Sequence, residues 1–379
     1  MSSGGGSPEA GPGSPFFPLV CVNCHRPFPP DAYPHRCPTC GGLYEFAEPF
    51  AYAPKRTGST SRGLESFRHV LPLPAKARFV TLGEGGTPLV GVKIGEGSVF
   101  FKCEYLNPTG SFKDRGSSVL ASVLLAAGVH EAVEDSSGNA GSSFAAYAAR
   151  AGLSVRVFVP DDASPVKRAQ MEAYGAQVVR ILGPRSATSE AVLEAVAQGA
   201  VYASHAYWPI GQAGMATIAY ELFEQLGRSP GAVVMPVGQG TLLLGLAVGF
   251  EALLRAGVVD RTPSLIGVQA EACAPIWAVS AGGSAGLTWT SEGRTRAEGI
   301  RIARPLRGDA VLARVEASGG RMVAVTEAEI ADGEHQLARL GFYVEPTSAV
   351  VWAGLLRAIE GLPGPVVVIL TGSGLKAPL

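Results

Sequence analysis

From Thr81 onward, short runs of aliphatic and β-branched residues alternate with longer stretches of helical periodicity. This alternation restricts the fold more than any other feature of the chain. Strand, helix and strand of one sense build a parallel sheet, and such a sheet needs helices over both faces. The pattern predicts strands at 99–103, 154–160, 177–181, 232–237, 265–270 and 366–371. It predicts helices at 111–128, 142–150, 165–175, 185–198 and from the glycine loop after the 232–237 strand through 255. Ser111 is available to cap the first helix and Gly128 to stop it. The class is therefore α/β. With 379 residues, of which 47% are hydrophobic and 17% charged, the chain can bury more than one core and is too apolar for disorder. A formal net charge of -1 excludes a general nucleic-acid or membrane-surface binder. No apolar run is long enough to span a bilayer. Residues 1–15 lack the charged and apolar regions of a signal peptide and read as a disordered tail on a cytoplasmic protein.

A separate module precedes the alternation. Cys21 and Cys24 form one C-x-x-C, and Cys37 and Cys40 form a second, with twelve residues between the pairs. Two such knuckles in a segment rich in Pro and Gly can surround one zinc with four thiolates, giving a zinc ribbon over residues 16–50. A lone pair would leave a redox disulfide open. Four sulfurs leave no open coordination position, so the zinc is structural. His25 and His35 are then expected to be solvated. Cys103 and Cys273 stand alone as small core residues. The polar stretch around Ala53 to Gly63 reads as a linker, taken as residues 51–80.

In open parallel sheets, ligands bind where strands end and helices begin. Four junctions carry unusual residues. Asn107-Pro108-Thr109-Gly110-Ser111-Phe112-Lys113 delivers a lysine to the first turn of a helix, where the dipole disfavours its charge and favours the neutral, nucleophilic amine. A surface lysine beside Asp114 is the plain alternative. Ser136-Ser137-Gly138-Asn139 runs into a helix through small residues, as an anion site or an ordinary capped turn would. Gly238-Gln239-Gly240-Thr241-Leu242 follows an apolar strand and suits a phosphate, although its spacing fits neither the dinucleotide fingerprint nor the Walker loop. Thr371-Gly372-Ser373-Gly374 offers hydroxyls after the last strand.

Together these segments resemble the fold-type II pyridoxal-phosphate family, and within it the threonine synthase branch. Asn107 to Gly116 resembles the family's Schiff-base lysine motif. Leu82-Gly83-Glu84-Gly85-Gly86-Thr87-Pro88-Leu89 resembles its entry segment, and Glu345-Pro346-Thr347-Ser348-Ala349 another family segment. The matches fall in the family's order across residues 82–376, and the amino-terminal ribbon resembles one found on some threonine synthases. The resemblance implies a two-lobed, tryptophan synthase β-like fold with parallel-type sheets. It places a large lobe at 81–117 and 206–379 and a small lobe at 118–205, with pyridoxal 5'-phosphate in the cleft. It implies that Lys113 carries the cofactor and moves protons, and that Asn139 meets the phenolic oxygen. It further implies that the N–H groups of Gly238, Gln239, Gly240, Thr241 and Leu242 hold the phosphate. Thr371 would then meet the ring nitrogen, and Ser136 and Ser137 would sit near the substrate carboxylate. The implied reaction is conversion of O-phospho-L-homoserine and water to L-threonine and phosphate, by a homodimer acting on a small amino-acid substrate.

Two positions depart from that branch. Ala140 stands where a threonine is usual, and Trp208 stands where an arginine grips the substrate phosphate. Arg185, Arg301 and Arg304 are candidates to replace that guanidinium. Ala297-Glu298-Gly299-Ile300-Arg301 is closer to the threonine dehydratase branch. The second reading is thus another lyase, racemase or β-replacement enzyme for serine-like or threonine-like amino acids, with a pocket lined by Trp208. A catalytically inert binding protein is the third.

Overall fold

The computed structural model describes residues 19–376 except 31, 56–59, 96, 162 and 184, and leaves out the side chains of 185 and 186. The tail expected over 1–15 lies outside the described residues. So do the side chain of Arg185 and part of the stretch expected as linker.

The first strands, β1 (Leu19–Cys21) and β2 (Tyr44–Phe46), pair antiparallel and carry the cysteine loops. Two more strands, β3 (Leu89–Ile94) and β4 (Gly97–Lys102), form an antiparallel hairpin, and helix α1 (Lys113–Ala126) follows. The chain then makes β5 (Glu131–Glu134), α2 (Asn139–Ala151), β6 (Ser154–Pro160), α3 (Pro165–Ala173), β7 (Gln177–Ile181), α4 (Arg185–Ala197) and β8 (Val201–Tyr202). It continues through α5 (Ile210–Leu226), β9 (Ala232–Pro236), α6 (Thr241–Arg255), β10 (Ser264–Ala270), α7 (Pro275–Gly282) and α8 (Gly308–Ala317). The last elements are β11 (Arg321–Val325), α9 (Glu327–Arg339), α10 (Pro346–Ala358) and β12 (Val366–Ile369).

Two sheets result. The larger has the order β11-β10-β9-β12-β4-β3 and is parallel except at its β3 edge. The smaller, β7-β6-β5-β8, is wholly parallel and is built from residues 131–202, between β4 and β9 of the larger one. The predicted strands recur within two residues of their expected ends; β3, β5, β8 and β11 were not predicted and carried too little pattern to be seen. Central strand β9, Ala-Val-Val-Met-Pro, is buried throughout, as a strand covered on both faces must be. Helix α6 is apolar almost all round because it lies between the sheet and α5. A Cβ on Gly249 would sit 2.5 Å from the Ala216 carbonyl, so only glycine permits that approach.

Much of the expected linker is packed. Tyr52 stacks on Tyr220 with ring centroids 5.1 Å apart, and Leu64 and Phe67 of a 3-10 turn at 63–70 are fully buried. These apolar side chains, hidden among polar neighbours, are why the segment reads as a tether in sequence.

The cysteine module is docked rather than tethered. Phe28 meets Tyr44 at 4.7 Å and the buried Trp208 edge-on at 6.2 Å. Tyr33 donates a 3.1 Å hydrogen bond to the Ala127 carbonyl. Arg307, 4% exposed, donates to the carbonyls of Tyr44, Ala206 and Tyr207 and pairs with Glu45. His35, expected in solvent, lies between Tyr202 and Tyr207, at 5.7 and 5.1 Å, while His25 is exposed. Trp208 therefore does not line a substrate pocket: its indole belongs to the core that joins module and body. Trp208→Ala removes that anchor and is expected to cost about 3–5 kcal/mol, as large buried aromatic truncations do. Thermal unfolding and protease sensitivity of residues 19–50 report it, and an unchanged melting temperature would contradict the docking.

Candidate functional site

Helix α1 begins at Lys113 itself. The residue before it, Phe112, has helical backbone angles and provides no side-chain cap, and the Ser111 hydroxyl, expected as the cap, is buried without a hydrogen-bond partner. What holds this turn is a set of links to the last strand end. Phe112 N–H donates to the Thr371 carbonyl at 3.0 Å, Ser373 N–H donates to the Gly110 carbonyl at 2.9 Å, and Ser111 bridges Gly372. The lysine turn and the hydroxyl loop are thus one zipped structure, though they lie far apart in sequence.

Beneath Lys113 lies a buried ionic network. Arg115 has no exposed surface; its guanidinium donates to Glu104 at 2.7 Å through Nε and Nη2, and to Glu221 at 2.8 and 2.7 Å through Nη1 and Nη2. Lys102 Nζ donates to Glu221 at 2.7 Å and to the Thr87 carbonyl at 2.8 Å. The same carboxylates hold the entry segment: Gly86 N–H donates to Glu221 at 2.7 Å and the Thr87 hydroxyl to Glu104 at 2.6 Å. Two cations face two anions, so the cluster is neutral. Burial works to raise the Glu221 carboxyl, but Arg115 and Lys102 outweigh it and hold it well below the usual carboxylate range.

Four of the predicted segments converge above this base. Asn139 opens α2, and its Nδ2 donates to Glu345 Oε1 at 2.6 Å. Gly372 lies against that pair; a Cβ there would fall 2.2 Å from Glu345 Oε1 and 3.0 Å from Asn139 Nδ2. Thr371 is 2% exposed. Its N–H donates to Ser348, whereas its hydroxyl has no partner in the fold. Thr241, first residue of α6, lines a cavity with Lys113, Glu134, Ala140, His205 and Gln212. Gly238 to Gly240 lead into that helix, whose first-turn N–H groups have no acceptor inside it. Ser136 and Ser137 are half-buried before Asn139, and Gly138 N–H donates to Ser136 at 3.3 Å.

Burial drives the Lys113 amine down to about 8, with Glu134 nearby pulling the other way. Asp114 points into the protein instead of standing beside the lysine at the surface: burial pushes it up to about 6 despite hydrogen bonds from Thr109 and Ser143.

The residues suit a planar, phosphorylated aldehyde. Three buried polar atoms, Ser111 Oγ, Asn139 Oδ1 and Thr371 Oγ1, have no hydrogen bond within the fold, a cost natural cores avoid. An amine that burial lowers to about 8 and an open helix N-terminus stand beside them. Residues 80–372 match the pyridoxal-phosphate dependent enzyme family. The chain belongs to that family. Within the pyridoxal-phosphate dependent enzymes, it is 32% identical over 378 residues to a threonine synthase of Methanosarcina acetivorans, covering 96% of this chain and 93% of the relative. It is 35% identical over 336 residues to a threonine synthase of Synechocystis, covering 86% of each. Its fold matches a threonine deaminase of T.th. at a TM-score of 0.62 and 28% identity, over 76% of this chain and 92% of that one. A maize serine racemase matches at a TM-score of 0.66 and 20% identity, over 76% and 88%, which speaks to fold alone. The chain is a threonine synthase-like PLP enzyme.

Sequence reasoning missed Glu345 as the partner of Asn139, although the acid stands directly before a proline-opened helix. It also missed Glu134 and His205, whose Nδ1 lies 3.5 Å from Glu134 Oε1 on the cavity wall. Neither carried a pattern.

The cysteines converge equally well. All four Sγ atoms lie within 4.8 Å of one another, with Cys21–Cys40 at 3.4 Å and Cys24–Cys37 at 3.7 Å. Ligands about 2.3 Å from a tetrahedral metal would stand roughly 3.8 Å apart. No disulfide joins these cysteines.

The low position of Lys113 gives a test. Capture of added pyridoxal phosphate by cofactor-free protein requires the neutral amine, so its rate should rise with pH through about 8 and then level. Stopped-flow absorbance reads this directly; a midpoint near that of an ordinary lysine would show that burial does not tune the amine. Arg115→Leu, which strands Glu104 and Glu221, should destabilise the protein by about 3–5 kcal/mol, measured by denaturant unfolding.

Proposed function

We propose that the protein converts O-phospho-L-homoserine and water to L-threonine and phosphate, with Lys113 as the residue that holds the cofactor and moves protons. The observation that carries this reading is the convergence of Lys113, Asn139, Thr371 and the open start of α6 in a chain similar to threonine synthases along nearly its whole length. When bound, the cofactor supplies an electron sink for charge developing beside the substrate amine.

The rest is the work of the chain. Lys113 is poised near 8, so at neutral to mildly basic pH its amine can both accept and return a proton. The N–H groups opening α6, from Gly238 to Leu242, would hold the cofactor's phosphate with the helix dipole behind them. Asn139, its amide fixed by Glu345, would meet the phenolic oxygen. The Thr371 hydroxyl would meet the ring nitrogen; being neutral, it does not enforce protonation there. Ser136 and Ser137 would take the substrate carboxylate. The walls of Leu120, Phe144 and Met215 exclude water from the proton transfers.

One observation favours a second reading. Among the described residues the cavity wall carries Ala140 and no arginine, which suits deamination of serine or threonine. The two readings separate on products. Cofactor-loaded protein given O-phospho-L-homoserine should release phosphate and threonine together, whereas keto acid from serine or threonine without phosphate release would move the assignment to the second reading. Lys113→Ala should abolish either reaction, and full retained activity would refute the role given to that lysine.

The four thiols are proposed to bind one structural zinc, measurable as one metal equivalent by elemental analysis and lost in Cys21→Ser/Cys37→Ser. The reading includes a homodimer, which sedimentation tests. Among the described residues no helix is long and apolar enough to cross a membrane.

A further inference from the structure

The cysteine module and the cleft share one side chain. Arg307 stands at the start of α8 and is withdrawn from water. On one side its Nη2 donates to the Tyr44 carbonyl at 3.0 Å and its Nη1 pairs with Glu45, both in β2. Tyr44 is paired with Cys21 across the β1–β2 ladder, so this contact is one strand from a thiol of the cluster. On the other side Nε donates to the Ala206 carbonyl at 3.3 Å and Nη2 to the Tyr207 carbonyl at 2.8 Å. These two carbonyls belong to the loop between β8 and α5, which walls the cavity beside Lys113. Ala203 and His205 precede them on that wall, and Gly211 and Gln212 follow. The ends of the loop are tied locally: Ala203 N–H donates to the Val133 carbonyl at 2.9 Å and Gln212 N–H to the Pro209 carbonyl at 2.8 Å. Arg307 holds its middle.

The backbone around Arg307 reaches a second part of the cleft. Leu306 N–H donates to Gln239 Oε1 at 3.1 Å. The Arg307 carbonyl accepts from Val311 N–H at 3.0 Å, and Val311 lies on Gly240, where a Cβ would fall 2.1 Å from its Cγ2. The start of α8 is thus seated on the loop 238–242.

We infer that Arg307 is a positioning residue, which carries the set of the cysteine module into the cavity wall at 203–212 and into the loop at 238–242. The part that concerns 238–242 rests on the phosphate contact proposed there; the part that concerns the wall does not. The module is then a member of the frame of the active site.

Two observations favour this role over simple docking. Apolar contacts already join module and body, through Phe28 on Trp208 and the core around them. A guanidinium removed from water costs stability that an apolar side chain would not, and burial pushes this one down to about 10, still a cation at neutral pH. What the planar fork supplies is fixed geometry: its donors take carbonyls from two segments at once.

The test compares wild type, Arg307→Met, Arg307→Lys, Cys21→Ser/Cys37→Ser, and the cysteine pair combined with each Arg307 variant. Binding of pyridoxal 5'-phosphate and of pyridoxal to cofactor-free protein is read by absorbance. KM and kcat on O-phosphohomoserine, serine and threonine, and the melting temperature, are measured alongside. Arg307→Met should weaken pyridoxal phosphate about tenfold or more and pyridoxal less, and raise KM by a similar factor with a smaller change in kcat. Arg307→Lys, one ammonium for three carbonyls, should recover part of the loss. The cysteine pair should show the same losses, and adding an Arg307 variant should deepen them little, because both changes cut one path. Losses that multiply in the combined variants would overturn the inference. So would an Arg307→Met protein that melts earlier yet keeps wild-type cofactor affinity and KM. If Arg307→Met does not fold, Arg307→Lys alone and with the cysteine pair makes the same comparison. Equal loss of pyridoxal and its phosphate would overturn the part that concerns 238–242. Wild type that binds pyridoxal as tightly as its phosphate would refute the phosphate contact itself, and the KM comparison would still decide the wall.

Discussion

The structure turns on one guanidinium with no access to water. Arg115 sits two residues beyond Lys113, and its five donors are spent on Glu104, Glu221 and Thr217. Those acceptors come from the segment after β4 and from α5, so the start of α1 is fixed between them. Lys102 completes the charge balance from the sheet side. Such a cluster adds little net stability, because desolvation offsets much of the Coulomb attraction. Its contribution is geometric. A bidentate fork tolerates little rotation, so the turn that carries the lysine is held in place.

The chemistry is built on that base. The lysine turn is zipped to the last strand end, the last strand end lies against Asn139, and Asn139 is held by Glu345. Each link joins residues far apart in sequence, and each leaves an atom without a partner: a serine hydroxyl, an amide oxygen, a threonine hydroxyl. A core built only for stability would pair those atoms. Left unpaired, they are available to polar groups of a bound molecule, while burial holds the Lys113 amine below an ordinary lysine.

Legibility follows the range of the interactions. Strands such as Ser154–Pro160 and Gln177–Ile181 are plain in sequence because their β-branched and aliphatic runs are bounded by turn residues. The junction residues are plain because glycine, serine and lysine at a strand end have few other reasons to be there. Ser111 reads as a helix cap because the local pattern allows it, but the hydroxyl is left for the cleft and the turn is held by Thr371 instead. Trp208 falls in the pocket by alignment with an arginine; only the arrangement of the cysteine module shows that an indole at that point has a different neighbour. Glu345 lies at an ordinary helical start, and its bond to Asn139 has no signature along the chain. The packed stretch around Leu64 and Phe67 is hidden by its polar surroundings.

The docked cysteine module has a consequence for the order in which the protein is made. Its two knuckles leave the ribosome before the α/β body does, and if the thiols hold a metal as proposed they could close around it as soon as Cys40 is clear. The surface that receives them does not yet exist. Trp208 is far downstream, and Arg307 is 262 residues beyond its partner Glu45. The module must therefore wait as a small independent body, without the core that later buries Phe28 and Tyr44, until most of the chain has followed. With the metal proposed for the four thiols, its arrival during that interval would preserve a folded docking partner for the finished body. Metal arriving later would have to capture four thiols from a chain that has already begun to collapse.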